Sequence, residues 1–154
     1  MGTRATIHIN IDNEYTWSLY KQFDGYPNGL GKNLVHLLKD MRITNGISLS
    51  HGEPIIGEIA NGAEDAVLQL ILGLKNRVGD LYAHRTVTDS DTADMAAGVE
   101  YQYTVTFLDP VDLKGCTIPT IGVKSFNDPA ESIAECYPLA FLKILETREQ
   151  TEGM

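Results

Sequence analysis

Apolar and polar residues alternate strictly over residues 5–11, ATIHINI, with Ala5, Ile7, Ile9 and Ile11 on one face and Thr6, His8 and Asn10 on the other. A period of two predicts a half-buried strand. Alternation resumes over 14–22, where Tyr15, Trp17 and Leu19 share a side, and the intervening Asp12-Asn13 is a two-residue turn pair. Together they predict a β-hairpin. Residues 99–108, VEYQYTVTFL, give the clearest strand of the chain, and Asp109-Pro110 ends it. A short strand is expected over 80–87 and another over 116–126, where Pro119 marks an edge or a bulge.

Between these segments the apolar period lengthens. Leu30, Leu34, Leu37, Leu38 and Met41 recur at helical spacing, with Lys32, His36, Lys39 and Asp40 opposite. A second helix is predicted over 63–78, with Ala66, Val67, Leu70, Ile71 and Leu74 as its stripe. Leu68 and Leu72 widen that stripe, so this helix is either deeply buried or the interface of a homo-oligomer. Asn127-Asp128-Pro129-Ala130-Glu131 announces a third helix: Asp128 can cap, Pro129 suits the first position and Glu131 completes a capping box. Ile133, Tyr137, Ala140, Phe141 and Ile144 form its stripe, and Pro138 predicts a kink or break near 135–137. Residues 44–62 read as irregular, with short extended pieces at Ile47 and Ile55-Ile56; 88–98 reads as a solvated acidic loop. A chain that begins with a hairpin rather than β–α alternation predicts an α+β fold. Its sheet is expected to be antiparallel, starting with the N-terminal β-hairpin, with about three helices packed on one face. One domain is expected over 1–148, followed by a frayed tail at 149–154.

Composition narrows the function classes. At 154 residues, 43% hydrophobic and 21% charged, the chain has the make-up of a globular protein and can bury a core without metal or disulfide staples. No apolar run approaches the roughly 18 to 20 residues that span a bilayer, and no basic-then-apolar leader opens the sequence, so a cytoplasmic location is expected. Met1-Gly2-Thr3-Arg4-Ala5-Thr6 fits the loose N-myristoylation pattern, but reads equally well as the lead-in to a strand. A formal net charge of −9 argues against non-specific nucleic-acid binding. Cys116 and Cys136 lack metal-site spacing and are expected to be reduced core thiols.

The candidate chemistry concentrates in residues 20–38, YKQFDGYPNGLGKNLVHLL. A Walker A loop fails here, because Gly25 and Gly31 enclose five residues and Asn33 replaces the required hydroxyl. The dinucleotide fingerprint fails as well, with Leu34 at its third glycine. An anion site of a looser kind survives: Gly29, Gly31 and Lys32 at a helix start, walled by Tyr20, Phe23 and Tyr26. The alternative is that Asp24-Gly25 and Pro27-Asn28-Gly29 are consecutive turns that only redirect strand into helix. The candidate ligand-binding set is Tyr20, Asp24, Gly25, Tyr26, Gly29, Gly31 and Lys32. His8, His36, His51 and His84 show no metal spacing, and Asp89, Asp91 and Asp94 fail the calcium-loop pattern at Ala93 and Asp94. No metal and no cofactor are expected. There is no Gly-x-Ser-x-Gly elbow, and the serines and histidines are too scattered to pair a nucleophile with a base.

MGTRATIHI, YKQFDGYPNGLGKNL and GVEYQYTVTF resemble a family of small uncharacterised phage, prophage and bacterial proteins. Its members carry a Ser/Gly-Thr-Arg opening, an Asp-Gly-Tyr-Pro motif before a helix and a later Glu-Tyr-x-Tyr strand. Here these are Thr3-Arg4, Asp24-Gly25-Tyr26-Pro27 and Glu100-Tyr101-Gln102-Tyr103. Gln22-Phe23 stands where many relatives have His or His-Trp. The resemblance implies a shared scaffold and a viral or mobile-element origin, with no mechanism attached. The resulting expectation is a non-enzymatic phage or prophage accessory protein in the host cytoplasm, binding a small anionic, nucleotide-like ligand or a host protein, as in counter-defence. The alternatives are a hydrolase of phosphorylated or nucleotide substrates, with Asp24 as base assisted by His36 or Lys32, and a homo-oligomeric interaction protein joined through 63–78.

Overall fold

A computed structural model describes residues 2–45, 58–84, 94, 98–111 and 115–152. The hairpin forms as β1 (Ala5–Ile11) and β2 (Glu14–Lys21), closed by Asp12 and Asn13 at φ 53° and 67°. Left-handed backbone at both turn positions is the geometry a two-residue hairpin requires, and Asp and Asn tolerate it. Leu19 faces Ile7, His8 faces Ser18, and a bulge after Ile9 shifts the register toward the turn.

A π-type turn over Pro27–Gly31 leads into α1 (Lys32–Leu38), followed by β3 (Met41–Thr44), β4 (Glu58–Asn61), α2 (Ala63–Leu74) and β5 (Leu81–His84). After the residues around Asp94 come β6 (Tyr101–Phe107), β7 (Cys116–Thr117), β8 (Thr120–Ser125), a 3-10 turn over Pro129–Glu131, β9 (Ile133–Cys136) and α3 (Pro138–Glu152).

The main sheet has six strands in the order β5-β2-β1-β6-β8-β9, and a smaller one runs β4-β3-β7. The α+β class and the opening hairpin are as expected. The sheet is mixed rather than strictly antiparallel, because β1 and β6 pair in parallel. β2 occupies one side of β1; the chain passes through α1 and α2 to β5 on the outer side of β2, and only after β5 reaches the other side of β1, where β6 runs in the same direction as β1. One core gathers Ala5, Ile7 and Ile9 of β1, Tyr103, Val105 and Phe107 of β6 and Ile121 of β8. Leu34 and Leu38 of α1, Ala66 and Leu70 of α2 and Phe141 and Leu145 of α3 close it. Burying a single Leu- or Phe-sized side chain contributes about 1.5–3 kcal/mol, so this cluster dominates stability.

The prolines account for some of the other departures. Residues 116–126 divide into β7 and β8, in different sheets, on either side of Pro119. Asp128 does cap, accepting from Ala130 N at 3.1 Å, but only for the 3-10 turn. Ile133 then belongs to β9, and Pro138 opens α3 instead of kinking it. Its missing N–H costs nothing at a first helical position. Met41 begins β3, and α2 stops at Leu74. Within 44–62, β4 pairs in parallel with β3, while Ile47 and Ile55-Ile56 lie outside the described residues. α3 continues through the expected tail as far as Glu152.

Candidate functional site

Where the end of β2 meets α1 and the C-terminal end of α2, the surface opens into a cavity of about 670 Å³. That lies within the range of roughly 300–1,000 Å³ usual for small-molecule sites. Its polar wall comprises Lys21, Asp24, Asn33, His36, Arg77 and Asp80; Leu30, Leu37 and Leu74 supply apolar surface. Asp80 organises one side. Its carboxylate accepts from the Lys21 ammonium, from Arg77 at 2.9 Å and from the backbone N–H of Phe23 at 3.0 Å. Burial works against the Asp80 charge, but the bonds from Lys21, Arg77 and Phe23 outweigh it and hold the carboxyl below its ordinary value. The Lys21 side chain is held inside, whereas Arg77 is 61% exposed and can turn toward a ligand. Asp24 faces the cavity from the joint, with left-handed backbone at φ 58°.

The structure separates the residues of the candidate set. Asp24 lines the cavity; the other six do not. Gly25 is buried between strand and helix, where an added Cβ would lie 2.6 Å from the Ala5 side chain. Its N–H donates to Thr3 O at 2.9 Å and its carbonyl accepts from the buried Tyr103 hydroxyl at 2.7 Å. Gly31 is also buried, and an added Cβ there would lie 3.3 Å from the Phe141 ring and 3.5 Å from the Tyr103 ring. Tyr26 is exposed and stands over Gly29, whose N–H donates to Tyr26 O at 2.9 Å. The Lys32 N–H returns to Pro27 and Gly29 carbonyls. The glycine amides expected to face an anion therefore close the joint itself. The Lys32 ammonium pairs with Glu149 of α3 at 2.5 Å. Tyr20 lies on the opposite face of the sheet, beside Tyr82 and His84 at ring-centroid distances of 6.3 and 6.2 Å. The cavity adds Lys21, Asn33 and His36 from the same stretch, and Arg77 and Asp80 from outside it. Gly79 and Asp80, both at positive φ, turn the chain so that Asp80 reaches β2.

The sheet face away from the helices holds a second cluster. Thr6 and His8 of β1, Ser18 of β2 and Gln102 of β6 are all buried there together with Asp94, which is 1% exposed. Asp94 Oδ2 accepts from Thr6 Oγ1 at 2.6 Å and Gln102 Nε2 at 3.0 Å, and lies 2.9 Å from His8 Nε2. His8 Nδ1 lies 2.7 Å from Ser18 Oγ, and His84 Nε2 is 3.9 Å from Asp94 Oδ1. Burial again opposes the charge, and the bonds from His8, Thr6 and Gln102 prevail, leaving the Asp94 carboxyl below its ordinary value. Asp94 is thus a buried anion rather than part of a solvated loop; Asp89 and Asp91 lie outside the described residues. The polar phase of the β1 alternation pointed to this face. The hairpin turn set His8 opposite Ser18, but nothing in the local sequence marked Asp94 as their neighbour.

Among the described residues no group of three His, Cys, Asp or Glu side chains is placed to hold a metal ion, and no helix is long and apolar enough to cross a membrane. Cys116 is exposed rather than in the core; Cys136 is half-buried, with burial pushing its thiol up. His51 lies outside the described residues. No protein-family model, curated protein or solved structure matches the chain.

Proposed function

We propose that the protein is an accessory protein of a phage or prophage, acting in the host cytoplasm by non-enzymatic binding of a small anionic, nucleotide-like ligand in the cavity between β2, α1 and α2. The cavity itself supports this most: it has ligand size, an apolar lining and several hydrogen-bond donors on one wall. Arg77 and His36 are exposed to meet a phosphate, Asn33 offers a neutral donor, and Asp24 is an acceptor for hydroxyls. The viral origin rests on the resemblance of the Thr-Arg, Asp-Gly-Tyr-Pro and Glu-Tyr-x-Tyr segments, and a host protein is the other partner that origin favours.

A thermal-shift screen of the purified chain against nucleotides and inorganic phosphate tests the binding. A ligand at a hundredfold excess over its Kd stabilises by about 2.7 kcal/mol. A nucleotide should raise the Tm of the wild type and much less that of Arg77→Ala. Equal shifts in both proteins, or none in either, would sink the reading.

Two further readings each have an observation behind them. Asp24 and His36 share the cavity wall, as the hydrolase alternative requires; turnover abolished in a folded Asp24→Asn variant would favour it. Leu68 and Leu72 of α2 are 67% and 79% exposed, which suits self-association through 63–78; a clean monomer in micromolar sedimentation would dismiss that.

A further inference from the structure

We propose that Ser18 is a nucleophile activated by His8, forming a second chemical site on the sheet face opposite the helices. Ser18 Oγ is 2.7 Å from His8 Nδ1, the other ring nitrogen is 2.9 Å from Asp94 Oδ2, and Asp94 is held in turn by Thr6 and Gln102. An acyl-transfer site needs this sequence of partners: a hydroxyl, a base within hydrogen-bond reach, and a carboxylate that orients the base and stabilises its charged form. With Asp94 accepting from the Nε2–H, Nδ1 keeps its lone pair toward the Ser18 hydroxyl.

Two other features favour chemistry over packing. Neutral side chains fill a space under a sheet at lower desolvation cost than a carboxylate and an imidazole, yet here the carboxylate is 1% exposed. The hydroxyl also lies only one strand from the sheet edge, since Ser18 pairs with His84 of β5, the edge strand. The neighbouring His84 side chain is 29% exposed and Tyr82 is 46% exposed. Ser18 is itself 4% exposed, which restricts the substrate to a small acyl group.

The substrate class is a small carboxylic ester. Ser18 Oγ bonds to the carbonyl carbon as its proton passes to His8 Nδ1. The carbon–oxygen bond to the alcohol then breaks, and the alcohol leaves with that proton. Water attacks the acyl-serine through the same base, releasing the carboxylic acid and restoring Ser18. Asp94 is a positioning residue that counters the charge on His8.

Labelling of the full-length protein with a small fluorophosphonate, followed by intact mass and peptide mapping, tests the proposal. The reagent's phosphorus–fluorine bond breaks as Ser18 Oγ bonds to phosphorus, so one adduct on Ser18 is expected. The adduct should be absent in Ser18→Ala and form at least about 100-fold more slowly in His8→Gln. Asp94→Asn should slow labelling and move its pH profile, which loss of packing alone would not do. A wild-type protein that takes no label under conditions that modify a known serine esterase overturns the proposal. Persistence of the adduct in Ser18→Ala does so too. The wild-type result stands on its own if His8→Gln does not fold.

Discussion

The cavity beside α1 and the cluster around Asp94 both bring carboxylate and imidazole side chains together, under opposite conditions. In the cavity, water reaches most groups: Arg77 is 61% exposed, and Asp24, Asn33 and His36 all face solvent. Charge pairs of that kind contribute little to folding and rearrange readily, which suits exchange of a partner for a ligand. Around Asp94 the hydrogen-bonded partners Thr6, His8 and Gln102 are buried, so a change there is felt by the whole fold. Burial, not the inventory of residue types, separates the two regions.

The widest gap between the two regions should appear on removing Asp94. Truncating one partner of a buried charged network costs about 3–5 kcal/mol, so Asp94→Ala should lose a large part of the stability measured by urea unfolding. The same group sets a pH dependence. The folded carboxyl sits below its ordinary value, so its contribution is fully present above about pH 4, the unfolded value. It disappears as pH falls through the depressed folded value. Stability of the wild type should therefore fall more steeply below pH 4 than that of Asp94→Asn. Parallel acid limbs in the two proteins would mean the network is not charged as described.

A smaller loss is expected at the joint. Tyr103→Phe removes the hydroxyl that donates to Gly25 O, and a buried carbonyl left without its donor costs about 1–3 kcal/mol. Asp24→Gly should move stability the other way. Glycine holds the left-handed conformation of residue 24 without the penalty of about 1 kcal/mol that a Cβ brings, so the variant should unfold at or slightly above the wild-type urea midpoint. A destabilised Asp24→Gly would mean that the carboxylate supports the joint.

The hairpin, the strands over 101–107 and 120–125 and the cores of α1 and α2 were legible because each is set by local period and turn chemistry. Asp12-Asn13 fixed one turn, and Ile7 and Ile9 fixed the buried face. The parallel pairing of β1 with β6 was not legible, because it depends on where a long connection returns. Pro138 shows a related limit: a proline that cannot lie inside a helix fits equally well at its start, and only the strand before it decides. For the candidate site, the motif identified the joint but not its role. Gly25 is there because Ala5 and the Thr3 carbonyl come too close for a side chain, and those neighbours are distant in sequence. Lys21 and Asp80, 59 residues apart, and His8 and Asp94, 86 apart, carry no mutual signal at all.

The smallest effect separates the cavity from the helix start. Lys32 pairs with Glu149 between side chains that are 29% and 43% exposed, and pairs of this kind contribute about 0–1 kcal/mol. Lys32→Ala should therefore leave the urea midpoint almost unmoved. Its value lies in the ligand screen, where it should keep the nucleotide shift that Arg77→Ala loses, since Arg77 lines the cavity and Lys32 faces α3. If Lys32→Ala abolished the shift and Arg77→Ala did not, the ligand would sit at the helix start. The ammonium would then have to leave Glu149 to meet it, and the glycine-rich joint, not the α1–α2 cavity, would be the place where this chain recognises an anion.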